Sequence, residues 1–179
     1  KKEKSKTNEE KAPAESSAPK APVSPEQAEE MMKNLPQDVQ DKLANIKVKL
    51  DKFQKDIVKK FDQYIMGVSL LPPPQDKEGK VDKDKINVLV LVDDTDSKKM
   101  SKFELKDKLS AIMIKMGQEI DSNIVVQTII LSEVWQSCYD GKYDVLKLIA
   151  MSAPVYDTGM MSALKIGEIH RTMVLKKFE

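Results

Sequence analysis

Cysteine and histidine are almost absent from this sequence. Cys138 is the single cysteine among 179 residues, so neither an intramolecular disulfide framework nor a cysteine cluster for zinc can form. That scarcity points to a reduced compartment and predicts a cytoplasmic location. His170 is the single histidine, so any Ser-His or Cys-His catalysis would have to run through it. Aromatic residues make up 5%, which leaves a core of aliphatic side chains and methionines. The net charge is +1, too small for strong attraction to nucleic acid or to an anionic membrane surface. No apolar stretch reaches the roughly 18 residues that a transmembrane helix needs, and no signal-peptide pattern is present.

Charged residues, at 33%, dominate instead. Residues 1–23 are Lys, Glu, Ser, Ala and Pro, with almost no large apolar side chain to repay ordering entropy. They are expected to form a disordered tail. Ser24-Pro25-Glu26-Gln27 reads as a helix start, with a capping serine, proline at the first helical position and a capping-box glutamine. That short helix ends near Pro36. A longer one follows from about Gln37 to Phe61, its apolar positions Val39, Leu43, Ile46, Leu50, Phe53, Ile57 and Phe61 forming one stripe. The stripe also fits a coiled-coil heptad, but packing against its own domain is the simpler arrangement. Residues 24–62 thus form a helical extension, and 63–179 the remaining domain. The chain begins at Lys rather than Met and ends inside a helical pattern, which predicts a segment of a longer protein.

The central stretch is Ile86-Asn87-Val88-Leu89-Val90-Leu91-Val92, closed by Asp93-Asp94-Thr95-Asp96. A continuous β-branched run closed by turn formers predicts a strand buried on both faces. Tyr64 to Leu71 is a second strand, stopped by Pro72-Pro73-Pro74, and residues 75–85 form an exposed loop. With only a loop between them, these strands are expected to be antiparallel neighbours. Ser101 opens a helix to about Glu119, with Leu105, Leu109, Ile112, Met113, Met116 and Ile120 inward. Ile124 to Leu131 is a third strand, parallel to the central one because a helix precedes it. Helices over 132–139, 143–151 and 160–177 follow, the last with Met161, Leu164, Ile169, Met173 and Val174 apolar. A short extended piece at Pro154-Val155-Tyr156 separates the last two. The expected fold is α/β or α+β: a small mixed sheet packed by helices.

This order resembles the nucleotidyltransferase fold of the DNA polymerase β superfamily over about residues 50–175. In that family a helix leads into a strand ending in Gly-Ser, a second strand opens with Asp-x-Asp, and a third carries another Asp. Here Phe61–Ser69 stands in the Gly-Ser position, Lys85–Val90 in the Asp-x-Asp position and Val126–Ile130 in the third-carboxylate position. Ala153-Pro154-Val155-Tyr156-Asp157-Thr158-Gly159 looks like the family's closing segment, and some archaeal members carry a similar Val-Asp-Asp-Thr-Asp sequence. The resemblance implies nucleotide contacts at Gly67 and Ser69, and metal ligands at Lys85, Asn87 and Gln127.

Those three positions do not suit the chemistry. Nucleotidyl transfer needs divalent cations clamped by hard, charged oxygens. A lysine repels the metal, and two amides bring it no charge. The expectation is a catalytically degenerate domain, not an enzyme, that takes no cofactor and binds a protein partner, another domain or a second copy of itself. The alternative is an active or nucleotide-binding transferase using Mg²⁺ at Asp93, Asp94 and Asp96. Those carboxylates leave the far end of the strand, roughly 20 Å from Asn87 at about 3.3 Å per residue. An acidic turn that ends the strand is the plainer account of them. Cys138 reads as a buried small hydrophobe. Trp135, Tyr139 and Tyr143 could form a stacking platform, but with no basic run around them core or interface packing is expected. His170 is expected to be structural.

Overall fold

The computed structural model describes residues 36–75, 79–96 and 101–175. The expected tail at 1–23, the helix start at Ser24 and the side chains of Met173 and Val174 lie outside the described residues. Two compact units divide between Gln40 and Asp41, a boundary that falls inside the first helix. In the first unit, the Pro36 carbonyl accepts the amides of Val39 (3.0 Å) and Gln40 (3.1 Å) and so starts that helix.

Among the described residues the fold is α+β, with five helices around a four-stranded mixed sheet. The elements run α1 (Gln37–Phe61), a 3₁₀ turn (Asp62–Tyr64), β1 (Ile65–Leu70), β2 (Ile86–Val92) and α2 (Lys102–Ile120). They continue through β3 (Ile124–Ile130), α3 (Leu131–Tyr139), α4 (Asp144–Met151), β4 (Ala153–Asp157) and α5 (Met160–Leu175). The sheet order is β3-β2-β1-β4. β1 is antiparallel to β2 and β4, and β2 is parallel to β3. Both expected pairings are therefore present. The proline run ends the β1–β2 ladder: after the Leu71 amide bonds to the Asn87 carbonyl at 2.8 Å, Pro72 has no N–H with which to continue.

Every residue of β2 is buried, and its alternation divides the core. Ile86, Val88, Val90 and Val92 face one side, where Leu50, Phe53 and Ile57 of α1 and Met113 of α2 cover them. Leu89 and Leu91 face the other side, against Val134, Leu146, Ile149, Met161 and Leu164 of α3, α4 and α5. The stripe of α1 thus packs on the sheet of its own chain through its C-terminal half. Lys49 on α1 also pairs with Asp121, the residue that ends α2.

Several expected burials differ. Ile112 and Ile169 are exposed, because Met113 and Gly117 centre the inner face of α2, and Met161, Leu164 and Glu168 that of α5. For Trp135 and Tyr139 core or interface packing was expected; at 51% and 89% exposed, neither packs in the core, which leaves the interface. On a nine-residue helix, Leu131 and Val134 face inward with half-buried Cys138 beside them, which turns Trp135 and Tyr139 outward. Tyr143 is half-buried, its ring 4.1 Å from the Arg171 guanidinium. Cys138 is half-buried, and loss of solvent pushes its thiol above the ordinary cysteine range, a setting for a weak nucleophile.

Candidate functional site

The face of the sheet covered by α3, α4 and α5 carries polar groups near the amino ends of β2 and β3. Period-two alternation places Asn87 on that face with Leu89 and Leu91. Ser69 of β1 and Gln127 of β3 both pair in register with Leu89, so Ser69, Leu89 and Gln127 form one row across three strands. Asn87 lies one row further out. Its Oδ1 accepts the Gln127 Nε2 at 2.9 Å, and its Nδ2 donates to the Pro72 carbonyl at 3.1 Å. Asn87 is 6% exposed, while Gln127 is exposed at the sheet edge. The amide pair is therefore closed on one side and open on the other.

Ser69 is 1% exposed, and among the described residues its hydroxyl has no hydrogen-bond partner. Gly67, two residues earlier, meets α5: a Cβ there would lie 2.2 Å from Cγ of Met161. A thioether side chain thus fills the space beside the glycine. Lys85 precedes β2 half-buried, and its charge helps hold the Asp121 carboxyl below the usual range, after the larger effects of the Lys49 hydrogen bond and the Asn123 amide. Sequence and fold thus bring Asn87 and Gln127 together, with Ser69 on the same face. A divalent cation does not fit this donor set: two neutral amides already satisfy each other, and the nearby charge is positive.

Two of the acidic residues at the other end of β2, Asp93 and Asp94, are engaged locally. Asp93 Oδ1 accepts both the Thr95 amide (3.0 Å) and the Thr95 hydroxyl (2.7 Å), an Asx turn. Asp94 is 6% exposed and accepts the Ser132 amide (2.9 Å) together with the Ser132 hydroxyl. It therefore ties the end of β2 to the first turn of α3, where free amides favour an anion. Asp96 is exposed. Among the described residues no cluster of three or more His, Cys, Asp or Glu side chains could hold a metal ion. His170 is exposed on α5.

One carboxylate was not apparent as functional in the sequence. Asp157 ends β4 and accepts the amides of Gly159 (2.8 Å), Met161 (3.0 Å) and Ser162 (2.9 Å), and the Ser162 hydroxyl. Burial pushes its carboxyl up, but these four donors outweigh burial and leave it below the ordinary carboxylate range. The neighbouring Thr158 bonds through its amide (3.0 Å) and hydroxyl (2.8 Å) to the Met66 carbonyl. The closing segment Tyr156–Gly159 therefore locks α5 onto β1. In the sequence Asp157 reads only as a turn former, three residues ahead of the first residue of α5.

No protein-family model, curated protein or solved structure matches this chain. Among the described residues, no helix is long and apolar enough to cross a membrane.

Proposed function

We propose that this chain is a catalytically degenerate, nucleotidyltransferase-like module that binds a protein partner, another domain or a second copy of itself. One observation carries the proposal: the side chains of Asn87 and Gln127 meet at 2.9 Å, where the resemblance calls for metal-binding carboxylates. Two carboxylates at that spacing repel unless a cation or proton joins them, whereas two amides bond directly. The topology supports the same reading, since an antiparallel β1–β2 pair and a parallel β2–β3 pair put both positions on one face. Exposed Phe103, Trp135 and Tyr139 supply aromatic surface of the kind that partner interfaces use.

Calorimetric titration with nucleoside triphosphates and Mg²⁺ or Mn²⁺ tests this. The expected result is no metal-dependent uptake by the natural chain. The paired substitution Asn87→Asp/Gln127→Glu is expected to introduce Mn²⁺ binding. Metal-dependent nucleotide binding by the natural chain that disappears in Asp93→Asn/Asp94→Asn would overturn the proposal in favour of a transferase centred on the acidic turn.

A further inference from the structure

The opposite end of the sheet holds a cavity bordered by Phe103, one of the exposed aromatics named above. β2 and β3 run parallel, and their carboxyl ends open beside the first turns of α2 and α3. Ligands of open α/β sheets gather in crevices outside such ends. The cavity here has a volume of about 600 Å³, within the roughly 300–1,000 Å³ common for small-molecule sites. Ile130 supplies an apolar wall, and Phe103 lines it from α2 while remaining 83% exposed.

Charge distinguishes the lining. Lys106 is spent on Glu133, which it meets at 2.8 and 2.6 Å. Asp140 accepts from Gln136 at 2.8 Å. Lys102, at the first position of α2, and Lys142, in the turn after α3, have no ion-pair partner among the described residues. The turn holding Lys142 is itself fixed, its amide bonded to the Ser137 carbonyl at 2.8 Å. Lys102 and Lys142, from separate elements, therefore outnumber Asp140, the one lining carboxylate outside an ion pair, and they share the cavity with an aromatic ring and an isoleucine. We propose that this cavity binds a small aromatic anion, a phosphate monoester or carboxylate on a flat ring. Its anionic group meets Lys102 and Lys142, and its ring lies against Phe103 and Ile130.

Titration of the full chain with 2-naphthyl phosphate, followed by amide chemical shifts, is the test, with 2-naphthol and inorganic phosphate as separate arms. Expected are shifts centred on Lys102, Phe103, Gln136 and Lys142, and binding by the other two compounds weaker by about tenfold or more. Each of Lys102→Met and Lys142→Met is expected to raise the dissociation constant by about tenfold, the loss of one charge-assisted hydrogen bond. Both lysines are exposed, so the variants retain the fold. Equal affinity for 2-naphthol, shifts centred elsewhere or absent, or full affinity in the doubly substituted chain would each overturn the proposal. Asn87→Asp/Gln127→Glu is expected to leave this binding unchanged.

Discussion

The carboxylate of Asp157 shows how one residue sets a junction. It satisfies the amides of Met161 and Ser162 in the first turn of α5, which have no partner within the helix, and that of Gly159 just before it. Because its folded carboxyl sits below the ordinary range, the unfolded chain binds the proton more readily, and stability rises with pH through that window. The contribution is complete above the unfolded carboxylate value and is lost as pH falls through the folded one. Asp121 and Glu168 shift in the same direction, through the hydrogen bonds of Lys49 and Arg171 respectively. Thermal unfolding followed against pH should therefore show stability declining on acidification below the ordinary carboxylate range. Asp157→Asn should flatten part of that decline and cost about 1 kcal/mol near neutrality, typical of a weakened N-cap. At this scale the sequence was informative for strands and less so for helices. Asn87 and Gln127 stand out as polar interruptions of apolar runs, so their positions were readable. Their mutual hydrogen bond was not, because it depends on the pairing register. Sequence leaves Trp135 between core and interface, because a nine-residue helix offers too few apolar positions to fix its inner face.

Between elements, two close approaches occur at glycines. β1 and α5 meet at Gly67, where Met161 takes the volume a side chain would need. Gly67→Ala forces Met161 aside in a site where it is 1% exposed, and the carbonyl of Tyr156, 3.4 Å away, limits the space for relief. A cost of about 1–3 kcal/mol is expected. Shortening the neighbour should relieve part of it, so Gly67→Ala/Met161→Ala should cost less than the sum of its single substitutions in chemical denaturation. Additivity of the two would show that the contact is not the source of the strain. α2 meets β3 in the same way at Gly117, whose Cβ would come within 2.9 Å of Ile124 Cγ2 and 3.1 Å of Val126 Cγ2. Gly117→Ala gains about 1 kcal/mol of helix propensity, but two branched side chains on a strand cannot easily move. A net loss is expected in the same measurement. The helices and strands themselves were legible from hydrophobic period and capping residues, including Ser101, whose hydroxyl accepts the Glu104 amide at 3.2 Å. The glycine contacts were not, since sequence does not show which helix face comes to rest on which strand.

For the molecule as a whole, the decisive feature is a sheet with two unlike faces. Among the described residues, the face bearing Ile86, Val88, Val90 and Val92 is covered by two helices, α1 and α2. From α1 it receives Leu50, Phe53 and Ile57, which are at most 3% exposed. Removing them would uncover the part of that face that α2 does not cover, and no other described helix is placed to replace them. Sequence pattern alone leaves α1 as a separable extension, because its stripe suits a coiled coil as well as a sheet. Burial distinguishes the two, since three core positions of the helix are already filled by its own chain. A chain beginning at Asp41 should therefore unfold cooperatively, whereas one beginning at Gln63 should bind hydrophobic dyes and lose its sharp thermal transition. Phe53→Ala in the full chain should cost about 3–5 kcal/mol, the range for a large buried aromatic side chain. If the chain beginning at Gln63 instead keeps dispersed amide resonances and a cooperative transition, then β2 can stay folded with one face uncovered, and α1 is free to pair with a partner helix.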